Sequence, residues 1–140
     1  MASLSIKANT KYSGEVTDFI TAELMRHDFP TDLQPDILIA VEEIFVNIAS
    51  YAYEPAQDGI VSLYVSINEN AVIRFEDSGK PFDPLKSNDP DLETPIIERK
   101  IGGLGIHFVK KLMDDVEYVY EGGKNILTIT KGITKQDMVK

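Results

Sequence analysis

Apolar positions recur along the chain with two periods, and the switches between them mark out its elements. Ser3-Leu4-Ser5-Ile6-Lys7-Ala8 alternates polar and apolar residues and predicts a first strand of edge type. From Tyr12 to Arg26 the spacing turns helical, carrying Val16, Phe19, Ile20, Ala22 and Leu24, with Thr10 or Ser13 as cap. Pro30 biases Phe29 away from helical angles, so this helix ends at His27-Asp28-Phe29-Pro30. A second helix has Asp32 as its predicted cap, Pro35 in its first turn and helical spacing from Ile37 through Tyr53, closed by Pro55. At about 100° per residue, Ile37, Val41, Ile44, Phe45, Ile48 and Ala52 share one apolar stripe. Glu43 and Asn47 lie together on its flank, where polar side chains reach a cleft while the stripe holds the helix down.

Strict alternation returns from Gly59 to Ile67 and again from Ala71 to Glu76, with Asn68-Glu69-Asn70 as the turn of an antiparallel hairpin. Beyond Asp83 the periodicity disappears. The stretch carries Pro84, Pro90 and Pro95 among many charges, and its length suits a lid over about residues 85–100. Ile106 to Met113 is a short amphipathic helix entered from Ile101-Gly102-Gly103-Leu104-Gly105. Val116 to Tyr120 and Asn125 to Thr130 form a last hairpin across Glu121-Gly122-Gly123-Lys124, and the polar tail at about 132–140 is expected to fray. Tyr64, Tyr118 and Tyr120 are expected to serve packing. The order predicts an α/β two-layer sandwich: a mixed, mostly antiparallel sheet with helices on one face. Residues 1–140 make a single domain.

Three stretches carry candidate chemistry. Strand Ala71 to Glu76 stops at Asp77-Ser78-Gly79, which places an acceptor at a strand mouth beside a residue that admits close approach. Taken alone this is also an ordinary Asp-Ser-Gly turn. Glu43 and Asn47 taken alone are also a solvated acid and a boundary amide. Gly102, Gly103 and Gly105 open a helix, where free N–H groups and the helix dipole favour an anion. Their spacing is neither that of the P-loop nor that of the Rossmann turn, and a lone Gly-Gly-x-Gly also marks a flexible join.

Composition narrows the choice. With 23 acidic against 14 basic residues the formal net charge is −9, which argues against nucleic-acid binding through a broad basic face. A polyphosphate would then depend on local amides or a metal ion for its positive field. No cysteine is present, which removes disulfides and thiol ligands and fits a reducing cytoplasm. No apolar run is long enough for a membrane span, so the expectation is a soluble cytoplasmic protein. His27 and His107 are read as structural or solvated.

In order, the three stretches resemble the GHKL ATPases, the group of gyrase B, MutL and histidine-kinase catalytic domains. Glu43-x-x-x-Asn47 is similar to that family's N box, Asp77-x-Gly79 to its G1 box, and Gly103-Leu104-Gly105 within Gly102–Ile106 to its G2 box. The spellings Asp77-Ser78-Gly79-Lys80-Pro81-Phe82-Asp83-Pro84 and Gly102 to Asp114 resemble the anti-sigma-factor serine kinases of the sporulation and general-stress type. The similarity runs from about residue 5 to about residue 131.

This resemblance implies a Bergerat-type fold that binds ATP with Mg²⁺. It implies Asp77 as acceptor for the adenine amino group, Gly79 admitting the base, and Asn47 as an oxygen ligand of Mg²⁺. It implies Glu43 as general base, Gly102, Gly103, Leu104 and Gly105 as the phosphate-binding backbone, and Arg99 or Lys100 adding charge at the lid's end. It further implies a serine/threonine protein kinase, acting on an anti-sigma-factor antagonist and sequestering a sigma factor as a homodimer. A non-catalytic, nucleotide-dependent interaction switch is the alternative. The resemblance departs at Tyr51, where members commonly carry a His soon after the Asn, and this leaves the contacts of that His in question. The sequence shows neither a gyrase-type transducer segment nor a histidine kinase's dimerisation hairpin, which turns the expectation from both of those activities.

Overall fold

The computed structural model describes residues 1–54, 59–81 and 101–132, with the backbone alone at 101–105. Five strands and three helices follow in chain order: β1 Ala2–Lys7, α1 Ser13–Arg26, α2 Gln34–Tyr51, β2 Ile60–Ile67, β3 Asn70–Asp77, α3 Ile101–Leu112, β4 Asp115–Glu121 and β5 Lys124–Gly132. The sheet order is β1-β2-β3-β5-β4, so β3 is central and β1 lies at an edge. All pairings are antiparallel, the limiting case of the mostly antiparallel sheet read from the sequence.

Alternation decides which face is covered. Val61, Leu63 and Val65 of β2 and Ile73 and Phe75 of β3 are buried with Ile20, Leu24, Ile37, Val41 and Phe45 of the helices. Burying each such side chain stabilises the fold by about 1.5–3 kcal/mol, so the inward stripe of α2 fixes its rotation over the sheet. Helix α2 packs between α1 and α3. On the opposite face of the sheet, the Arg74 guanidinium stacks 4.6 Å from the Tyr64 ring centroid, and the Ser5 and Ser62 hydroxyls meet at 3.0 Å.

Several boundaries differ from the sequence reading. A 3-10 turn, Thr10–Tyr12, precedes α1, and its cap is Asn9, whose Oδ1 accepts from Lys11 N–H at 3.0 Å. The N-cap of α1 itself is Tyr12, without a side-chain bond, so neither Thr10 nor Ser13 caps the helix. Helix α1 ends in a paired-hydrogen-bond stop: Phe29 N–H donates to Leu24 O at 3.0 Å and Asp28 N–H to Met25 O at 3.1 Å, with Asp28 left-handed at φ 53°. The reversal is therefore made at Asp28, and Phe29 is drawn into the core. Asp32 does not cap α2. Leu33 occupies that position without a side-chain bond, and Pro35 supplies the start. Helix α2 ends at Tyr51, not Tyr53. Helix α3 begins at Ile101, so Gly102, Gly103 and Gly105 lie inside it and not ahead of it. Glycine weakens a helix by about 1 kcal/mol, a cost that packing against α2 can offset. The lid at 85–100 with Arg99 and Lys100, together with Pro55 and the tail at 133–140, falls outside the described residues.

Candidate functional site

The site grows from the last residue of the central strand. Asp77 is buried, 5% exposed, and its Oδ1 accepts from Gly79 N–H at 2.9 Å and from the Asn125 side-chain amide at 2.9 Å. Asn125 stands directly opposite Asp77 on β5. Its Nδ2 also donates to Lys80 O at 3.0 Å, and its Oδ1 accepts from the Tyr118 hydroxyl on β4. Three strands thus fasten one turn. Burial pushes the Asp77 carboxyl above the usual carboxylate range, while the Asn125 amide and then the Gly79 N–H pull it back.

The C-terminal end of α2 closes on this turn from the other side. Lys80 N–H donates to Ala52 O at 3.0 Å, and a Cβ added at Gly79 would stand 2.2 Å from that same oxygen. Glycine is therefore required here by the approach of α2, whatever else it admits. Tyr53, freed by the early end of α2, accepts from Ser78 N–H at 2.9 Å and donates to Ile60 O at 2.9 Å. It joins the end of β3 to the start of β2. Burial raises the Tyr53 phenol first of all, with the negative field of Asp77 adding to it against the Ser78 hydrogen bond. The sequence reading passed over Tyr53 and Asn125 and took Tyr118 for packing alone.

Between α2 and the sheet lies a small cavity of about 40 Å³, partly open to solvent, with Ile44, Ile48, Phe75 and Leu127 as apolar wall and Asp77 and Asn47 as polar points. Tyr51 lines it as well. Apolar walls with few placed polar groups are the usual chemistry of small-ligand clefts.

Asn47 Oδ1 is buried without a hydrogen-bond partner among the described residues. An unpaired buried acceptor costs on the order of 1–3 kcal/mol, and such an oxygen fits a hard cation. Among the described residues no three His, Cys, Asp or Glu side chains gather into a metal cluster. A Mg²⁺ at Asn47 would take its other oxygens from phosphates and water, as that ion commonly does.

Glu43 is half-buried on α2, one turn before Asn47, and is not among the side chains lining the cavity. Gly102, Gly103, Leu104 and Gly105 are the second to fifth residues of α3. The N–H groups of Gly102 and Gly103 fall in the first turn, where a helix leaves its amides unpaired. The amide of Gly105 comes one position too late for that in a regular helix. His27 caps the C-terminus of α1, and His107 meets Phe108 edge-on, ring centroids 6.4 Å apart. Among the described residues no helix is long and apolar enough to cross a membrane.

Comparison with known proteins places this geometry in a family. Residues 6–131 match the histidine kinase-like ATPase domain. The chain is 28% identical over 118 residues to the serine-protein kinase RsbW of Listeria monocytogenes, spanning 81% of this chain and 74% of that protein. To the serine-protein kinase RsbW of Bacillus cereus it is 27% identical over 139 residues, spanning 96% and 86%. The fold superposes on the RsbU and RsbW domains of Rv1364c from Mycobacterium tuberculosis with a TM-score of 0.62 at 15% identity, over 94% of this chain but 32% of that one. It superposes on the histidine kinase domain of a blue-light activated histidine kinase from Erythrobacter litoralis with a TM-score of 0.58 at 17% identity, over 96% of this chain and 64% of that one. A match over nine-tenths of its length, on the sheet and helices that build the cavity, makes this chain a member of the histidine kinase-like ATPase domain family.

Proposed function

We propose that the chain is an ATP-binding serine/threonine protein kinase that sequesters a sigma factor and phosphorylates a small antagonist of that sequestration. The observation that carries the reading is the pairing, in one apolar cavity, of a buried carboxylate acceptor at Asp77 with an unpartnered oxygen at Asn47. The first suits the amino group of a base, and the second suits the cation that accompanies a triphosphate. In this reading Asp77 takes the adenine amino group beside Gly79, Asn47 would hold Mg²⁺, and the first-turn backbone of α3 at Gly102 and Gly103 receives the phosphates, with Leu104 and Gly105 letting the helix approach them. The metal ion, when bound, neutralises charge on the phosphoryl oxygens. Glu43 accepts the proton of the attacking serine hydroxyl as the new O–P bond forms and the bond to the β-phosphate oxygen breaks, releasing ADP. The chain acts as a homodimer in the cytoplasm.

The position of Glu43 outside the cavity lining favours a second reading, a switch that holds nucleotide without transferring phosphate. One experiment separates the two. Calorimetric titration with Mg-ATP on wild type and Asp77→Asn is paired with transfer of labelled γ-phosphate to candidate antagonist proteins. Binding that depends on Asp77, with label on a serine, supports the kinase. The same binding without transfer supports the switch, and no binding by wild type removes both.

A further inference from the structure

We propose that Tyr118 and Asn125 are positioning residues that hold Asp77 as a pure hydrogen-bond acceptor, so that the cavity reads the 6-position of a purine and prefers a 6-amino to a 6-oxo base. This rests on the nucleotide reading above and adds what sets its selectivity and its response to pH.

An asparagine amide can turn either its oxygen or its nitrogen toward a neighbour, and an oxygen facing Asp77 would repel the carboxylate. One contact fixes the choice and a second supports it, since a carbonyl can only accept whereas a hydroxyl can donate or accept. The Tyr118 hydroxyl donates to Asn125 Oδ1, and Lys80 O accepts from Nδ2 at 3.0 Å. The nitrogen is thereby aimed at Asp77 Oδ1, which it reaches at 2.9 Å, and Gly79 N–H takes the same oxygen at 2.9 Å. Both bonds fall on Oδ1. Asp77 Oδ2 has no donor among the described residues, and Asp77 lines the cavity.

An ionised Oδ2 accepts the N–H of a 6-amino group and opposes a 6-oxo oxygen, whereas a protonated one donates to the 6-oxo oxygen. Discrimination therefore depends on which form of Asp77 is present. Burial favours the neutral form, and the Asn125 amide is the first influence opposing it. Among the described residues, the other titratable groups around this carboxyl are the Tyr53 phenol just past α2, Tyr51 from the last turn of α2, Lys80 from the turn after β3, and Tyr118 acting through Asn125. Without Asn125 correctly turned, Asp77 protonates at a higher pH and the preference weakens.

The test measures Mg-ATP and Mg-ITP affinities by calorimetry from pH 5 to 8 on the full chain, for wild type, Asn125→Leu and Tyr118→Phe. Urea unfolding accompanies each variant. The expected result is an ATP preference in wild type that declines on acidification. In both variants that decline moves up by on the order of one pH unit, and the ATP-to-ITP affinity ratio at pH 7 falls about tenfold. Tyr118→Phe removes a single oxygen from a half-buried ring, so it carries the test if Asn125→Leu does not fold. Equal losses of ATP and ITP affinity, with an unchanged midpoint, would mean a merely structural role and overturn the proposal. So would a folded variant that keeps the wild-type ratio. In those cases ATP binding by wild type leaves the nucleotide reading standing. If wild type binds neither nucleotide, that reading falls and takes this one with it.

Discussion

The two ends of the cavity are built in opposite ways. At the Asp77 end, most polar atoms already have partners within the chain: Asp77 Oδ1, the Asn125 amide, the Tyr118 hydroxyl and the Tyr53 hydroxyl bind one another or nearby backbone, and Asp77 Oδ2 is held ready beside them. At the Asn47 end a buried oxygen has none among the described residues. Pre-organised donors and acceptors lower the ordering cost of a ligand and fix its identity. An unpaired oxygen does the reverse, since it costs stability until something arrives to fill it. One end of this site is a finished template, and the other is a coordination shell waiting for its ion and phosphates.

Four substitutions test that contrast, in order of expected effect. Glu43→Gln lies past the unfinished end and touches none of the template. Phosphoryl transfer should fall by about 10²–10⁴-fold, the usual share of a general base, with ATP affinity unchanged in calorimetry. A transfer rate within threefold of wild type would remove Glu43 from the chemistry. Asp77→Asn strikes the template itself. Loss of a charge-assisted hydrogen bond should weaken Mg-ATP binding about 10- to 100-fold.

The same change should leave the urea midpoint at pH 7 unchanged or higher, and the sign follows from linkage. The folded carboxyl titrates above its unfolded value, so the folded state loses stability as pH rises through that interval, and the amide avoids the loss. A large drop in the midpoint would mean that the carboxylate supports the fold. Gly79→Ala drives a Cβ into the Ala52 carbonyl and should destabilise the chain by about 1–3 kcal/mol in urea, with ATP binding weakened as the turn shifts. A neutral result would show that α2 can retreat. Asn47→Leu is the smallest effect on stability. By replacing an orphaned acceptor with an apolar group in an apolar wall, it should stabilise the free chain by about 1 kcal/mol while removing the Mg²⁺ dependence of ATP affinity. Destabilisation would show that the oxygen has a role in the free protein.

The sequence exposed what depends on local periodicity. Alternation from Gly59 to Ile67 and the stripe on α2 gave the sheet, the covered face and the side of the helix on which Asn47 sits, because burial acts on every second or every third to fourth residue. The hairpin after β4 was legible for a similar reason. Gly122 and Gly123 adopt φ of 62° and 78°, values that the Gly-Gly pair invites. The start of α3 was missed because three glycines among five residues argue against helix locally, and only packing on α2 overrides them. Asp32 was misread as a cap because its spacing to Pro35 suits that role, yet the helix starts later, at Gln34. Asn125, Tyr118 and Tyr53 left no signal of any period. Asn125 meets Asp77 across 48 residues of sequence and Tyr53 meets Ser78 across 25, and such partners exist only after the strands are registered.

The register of β3 against β5 also sets an order of assembly. β2 with β3, and β4 with β5, are hairpins closed by short turns, each able to zip locally on a microsecond scale. The seam between them joins segments far apart in the chain and must wait for loop closure. The bond from Asn125 to Asp77 crosses that seam. Whatever binds at Asp77 therefore binds only the joined form. Ligand concentration then weights the docking of two locally folding halves, so the chain's resistance to unfolding becomes a gauge of the ligand around it.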